Sequence, residues 1–154
     1  MAGQEISKTC CFFGHKDAPE RIKPELAKSI TNLIEENGVN TFYVGNQGQY
    51  DALVLSVLKE LSAKYSNISY CVVLAYMPDE RSNLKETKTL YPEGIETVPK
   101  RYCISWRNNW LIEHSNYVIC YVTHLTGGAV QFVEKAKKKE KIVINIYQPE
   151  KIKE

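Results

Sequence analysis

Apolar residues in this chain fall into two patterns that take turns, short continuous runs and stretches with helical spacing. The first run, KTCCFFG at 8–14, is short, apolar and closed by glycine, as a strand buried on both faces would be. Asp17-Ala18-Pro19-Glu20 resembles a capping box, and Pro24 falls where a first helical turn tolerates it. Leu26, Ala27, Ile30, Leu33 and Ile34 then share one helix face, which ends at Asn37-Gly38. TFYVG at 41–45 reads as a second strand, and Asn46-Gln47-Gly48 turns into a helix with Leu53, Val54, Val57, Leu58 and Leu61 as its core face. ISYCVVLAY at 68–76 is β-branched and aromatic, a third strand.

Periodicity disappears between residues 77 and 101, a stretch with Pro78, Pro92, Gly94 and Pro99. A connection this long either covers a ligand or hides a short helix. A helix at about 104–114, a strand at 117–123, a helix from the 124–128 turn to about 139 and a strand at 141–147 complete the chain. Strands alternating with helices predict one α/β domain over 1–154, a Rossmann-like three-layer sandwich with right-handed crossovers. The expected sheet is five-stranded, mainly parallel and ordered 3-2-1-4-5. Such a sheet holds its ligand at the carboxyl ends of strands one and four, where the order reverses.

Composition narrows the function. With 154 residues, 44% apolar and 25% charged, the chain suits one soluble globular core. A formal net charge of +2 argues against nucleic acid and against a membrane surface as partners. The lysines at 135, 137, 138, 139 and 141 read as a solvated helix end or as a phosphate-tracking patch. The N-terminus lacks a signal-peptide layout and no apolar run reaches membrane-spanning length, so a cytoplasmic protein is expected. Cys10, Cys11, Cys71, Cys103 and Cys120 form no C-x-x-C pair, and His15, His114 and His124 show no ligand spacing. Buried thiols are expected, with neither metal nor cofactor.

Candidate chemistry gathers in three turns and one helix. Thr126-Gly127-Gly128 joins a strand to a helix, where backbone amides and the helix dipole favour an anion such as phosphate, unless the turn is merely tight. Gly45-Asn46-Gln47-Gly48 lies on the same edge. There Asn46 either contacts ligand or caps the next helix, and Asp51 is a ligand contact or a first-turn carboxylate. Arg107 can grip a phosphate and Asn108 can read a base or ribose edge, while Trp106 and Trp110 serve as core or as stacking platforms. Glu134, seven residues after Gly127, reaches a ribose or is simply an exposed charge. A ligand site requires that the amides of the last helix share a cleft with Arg107.

Four collinear segments carry a resemblance: CCFFGHKDAPERIKPEL, TFYVGNQGQYDALVL, YPEGIETVPKRYCISWRNNWLIEHSNYVICYV and TGGAVQFVEKAKKKEKIVINI. Together they resemble the SLOG superfamily, named for Smf (DNA-processing protein A) and Lonely Guy proteins, and within it the YpsA-like branch of bacteria and their prophages. The resemblance implies a Rossmann-like fold and a nucleotide-type ligand, held as in a sensor or regulatory module. Its site residues would be Gly14, His15, Lys16 (where arginine is usual), Gly45, Asn46, Gln47, Gly48, Asp51, Arg107, Asn108, Thr126, Gly127 and Gly128. Lonely Guy enzymes cleave nucleoside monophosphates with an arginine and a glutamate, which would be Arg107 and Glu134 here. Their Pro-Gly-Gly-x-Gly-Thr-x-x-Glu signature keeps only the glycine pair and the glutamate, since Thr126, Val130 and Gln131 replace the rest. Single-stranded DNA binding and a homodimer are further properties of related folds.

Overall fold

The computed structural model describes residues 8–77, 87–124 and 127–147. Within them, strand β1 (Thr9–Gly14), helix α1 (Lys23–Asn37), β2 (Thr41–Val44), α2 (Gln49–Lys64), β3 (Ser69–Val73) and β4 (Thr89–Leu90) precede α3 (Cys103–Glu113), β5 (Tyr117–Tyr121), α4 (Gly128–Lys138) and β6 (Ile142–Asn145). All pairings are parallel and the sheet order is β4-β3-β2-β1-β5-β6. The chain steps outward from β1 through β4, then returns to the other side of β1 as β5. Gly14 at the end of β1 pairs with Tyr121 at the end of β5, so both strands stop at the same level, and His15 N–H donates to the Tyr121 carbonyl at 3.3 Å to tie the loops that follow.

Alternation along the strands explains why the sheet is covered on both faces. Cys10 and Phe12 of β1, Phe42 and Val44 of β2, and Ile119 of β5 join the core beneath α1 and α2, with Leu26, Ile30, Val54, Val57 and Leu58. Cys11 and Phe13, Cys71 and Val73, and Val118 and Cys120 face the opposite way, against Leu111 and Ile112 of α3 and Phe132, Val133 and Ala136 of α4. Burying one Leu, Ile or Phe contributes about 1.5–3 kcal/mol, so each layer is held by many such terms. All five cysteines are free and buried, acting as small apolar groups. The Cys11 and Cys120 thiols are pushed up to about 12, in both chiefly by burial.

Three expectations need correction. The sheet has a sixth strand, because β4, inside the segment without periodicity, pairs with β3 at the sheet edge (Val72 with Thr89, Val73 with Leu90). Two residues carry no period, so β4 left no pattern. Beyond β4 the described residues form two 3₁₀ turns, Ile95–Thr97 and Lys100–Tyr102, anchored by fully buried Ile95 beside Ala75 and Cys103. Asp17 and Glu20 do not form a capping box. A 3₁₀ turn spans Glu20–Ile22 and α1 begins at Lys23, with no side chain capping it. Pro24 dictates this start, since a proline fits only the first turn of a helix. The third strand is also shorter than 68–76, ending at Val73. The lysine-rich run closes α4, where Lys137 pairs with Glu134 at 3.4 Å and Lys139 with Glu113 at 3.4 Å. Among the described residues, no helix is long and apolar enough to cross a membrane.

Candidate functional site

A cleft of about 410 Å³ opens over the carboxyl ends of β1 and β2. That volume lies within the range of small-molecule sites, roughly 300–1,000 Å³. The buried apolar side chains of Phe12, Phe13, Leu111 and Phe132 form an apolar floor to its lining, beside buried Asp51 and Arg107. Of the residues singled out in the sequence, Gly14, His15, Lys16, Gly45, Gln47, Asp51, Arg107, Asn108 and Gly128 line it. The opening of α4 and the guanidinium of α3 therefore meet in one cleft.

Arg107 is only 2% exposed, an unusual state for a permanent cation. Its Nη1 donates to the Val73 carbonyl at 2.9 Å, and its Nε donates to Asn108 Oδ1 at 2.9 Å. Strand β3 thus ends where its last carbonyl turns to hold this side chain. A guanidinium carries five N–H donors, so most remain for a ligand. Asp51, 9% exposed, is the neighbouring anion, and its Oδ2 accepts from the Gln47 N–H at 2.8 Å. Burial raises Asp51 to about 6, opposed by the Gln47 hydrogen bond and the Arg107 charge. Burial likewise lowers Arg107, while Asp51 raises it. Gly45 lies between the two: a Cβ there would stand 2.8 Å from Arg107 Nη1 and 2.9 Å from Asp51 Oδ2. Only glycine leaves that space.

The first two turns are tied to each other and to β5. The Gln49 N–H donates to the Lys16 carbonyl at 2.8 Å, fastening the start of α2 to the turn after β1. Tyr50, 1% exposed, lays its ring against Gly14 and donates its hydroxyl to the Ile119 carbonyl at 2.8 Å. His15 Nε2 accepts the Thr123 N–H at 3.0 Å, and its ring lies 4.3 Å from that of His124. Burial, then the neighbouring His124, lowers the His15 pKa, so an accepting, neutral ring is consistent with its surroundings. Asn46 and Gly48 are outside the cleft lining. Asn46 does not cap α2; its Oδ1 accepts from Gln47 Nε2 at 3.2 Å.

Gly127 precedes α4 with φ +115 and ψ 170, a conformation that side chains resist, and among the described residues no side chain caps the helix. Thr126 lies outside the described residues. Glu134 is not in the cleft. It lines a separate cavity of about 300 Å³ with Val130, Val133 and Lys137, and its carboxylate pairs with Lys137 at 3.4 Å. At roughly 100° per residue, position 134 falls with 130, 133 and 137, whereas 128, 129 and 132 turn toward the cleft. Trp106 and Trp110 are also off the lining; Trp106 packs by Ile95, and Trp110 stacks on His114 at 3.9 Å.

Sequence reading missed Phe12, Phe13, Ile104, Ser105, Leu111, Ala129, Gln131 and Phe132 as lining residues. Helical spacing from Arg107 and Asn108 would have found Ile104 and Leu111. Among the described residues, no three His, Cys, Asp or Glu side chains cluster as a metal site needs.

No protein-family model matches this chain, and no curated protein matches it. Among solved structures, it is similar to DNA processing protein A (DprA) from Streptococcus pneumoniae, with a TM-score of 0.66 at 13% identity. That match covers 89% of this chain and 49% of the other, so the chain spans about half the length of DprA. The likeness establishes a shared Rossmann-like α/β fold.

Proposed function

We propose that this cleft binds a nucleotide or nucleotide-derived ligand, as a sensor or regulatory module of SLOG type, in line with the YpsA-like resemblance of its motifs. The single observation carrying the reading is Arg107: a buried guanidinium with spare donors, in the same cleft as Gly128 at the opening of α4. Together they offer an anion a charge, fixed donors and a helix dipole. The apolar floor suits a base or sugar face. Cleavage of a nucleoside monophosphate is the weaker alternative, because Glu134 belongs to another cavity. Calorimetry with AMP, GMP, CMP, UMP and ADP-ribose tests the reading. Arg107→Met should weaken binding about 10- to 100-fold, the value of one charge-assisted hydrogen bond or two. Silence of the folded wild-type chain across the panel contradicts it.

Single-stranded DNA is a second reading, favoured by the backbone likeness to DNA processing protein A. A mobility shift that weakens steeply with salt would support it.

A further inference from the structure

We infer that Asp51 selects ribonucleotides over deoxyribonucleotides by accepting hydrogen bonds from the ribose hydroxyls, an inference that rests on the nucleotide reading above. Asp51 is 9% exposed, lines the cleft and accepts one hydrogen bond among the described residues, from Gln47 N–H to Oδ2. Its Oδ1 accepts none, and no lysine or arginine pairs with the carboxylate within 4.0 Å among those residues. A carboxylate has about four acceptor sites, and Oδ1, which is not among the buried side-chain atoms left without a partner, turns its free sites to the open cleft. The cleft therefore offers an acceptor in search of donors.

Charge then decides which part of a nucleotide lies there. A phosphate is repelled by Asp51 and drawn to Arg107 and the α4 amides. A sugar brings neutral O–H donors, and a cis-diol can place two of them on one carboxylate. Gly45 supports the division: with no side chain between Arg107 and Asp51, one ligand can touch both. A 2′-deoxy sugar leaves part of the acceptor unfilled, so discrimination follows from a lost hydrogen bond to a charged group.

Calorimetry with AMP, GMP, CMP and UMP beside their 2′-deoxy counterparts tests this on the wild-type chain. Whichever ribonucleotide binds should do so at least about tenfold more tightly than its deoxy form, as loss of one charged hydrogen bond predicts. Asp51→Asn keeps an acceptor for the Gln47 N–H, and in that variant the ratio should shrink toward one. Equal affinities in the wild type overturn the inference and leave the nucleotide reading standing. Tighter binding of the deoxy forms overturns it in favour of DNA. No binding of either series overturns this inference, and silence of ADP-ribose as well overturns the nucleotide reading with it.

Discussion

At the level of single residues, the site depends on a buried cation and a buried anion held apart by a glycine. Gly45→Ala puts a methyl group 2.8 Å from Arg107 Nη1, closer than a carbon can rest. The variant should lose about 1–3 kcal/mol of stability in urea unfolding, as overpacked sites do, and bind ligand more weakly. Asp51 gives a pH signature. Its folded pKa of about 6 lies above the ordinary aspartate value of 3.8, so its contribution to stability is full below about pH 4 and is lost as pH rises through 6. Two units correspond to up to about 3 kcal/mol of that loss. Urea unfolding at pH 4 and pH 7.5 should show this component in the wild type and its absence in Asp51→Asn. Glu134 should be silent: Glu134→Gln, remote from the cleft, should change nucleotide affinity less than about twofold by calorimetry. A larger loss would return that carboxylate to the site.

Elements place these residues, and here the sequence was readable to different depths. The glycine-flanked turns were legible because strands end and helices begin around them. Arg107 stood out because a buried-looking helix has little use for Arg-Asn as packing. Glu134 misled because two full helical turns from Gly127 seemed to restore its direction, whereas the cleft faces the other side of α4, toward Gly128 and Phe132. Asn46 offered the residue type of a cap, yet Gly48 holds the N-cap position of α2 and Asp51 reaches back to Gln47. Tyr50 showed no signal at all, although it links α2 to β5 beneath the cleft. Tyr50→Phe leaves the Ile119 carbonyl without its 2.8 Å donor and should cost about 1–3 kcal/mol in thermal or urea unfolding.

Across the whole molecule, the fold was legible from alternation alone, since continuous apolar runs between helical stretches admit few architectures. What escaped was the edge. β4 has two residues, too few for a period, and its pairing with β3 is a tertiary event. The same long-range geometry builds the cleft, which draws on β1, the loop after β2, and helices α2, α3 and α4. The central claim is one of location. An amide-resolved NMR titration with the tightest-binding nucleotide should move the signals of Gly45, Gln47, Gly128 and Ala129 and the Arg107 Nε–H. Shifts gathered instead around Val130, Val133 and Lys137, with that first group unmoved, would contradict the account.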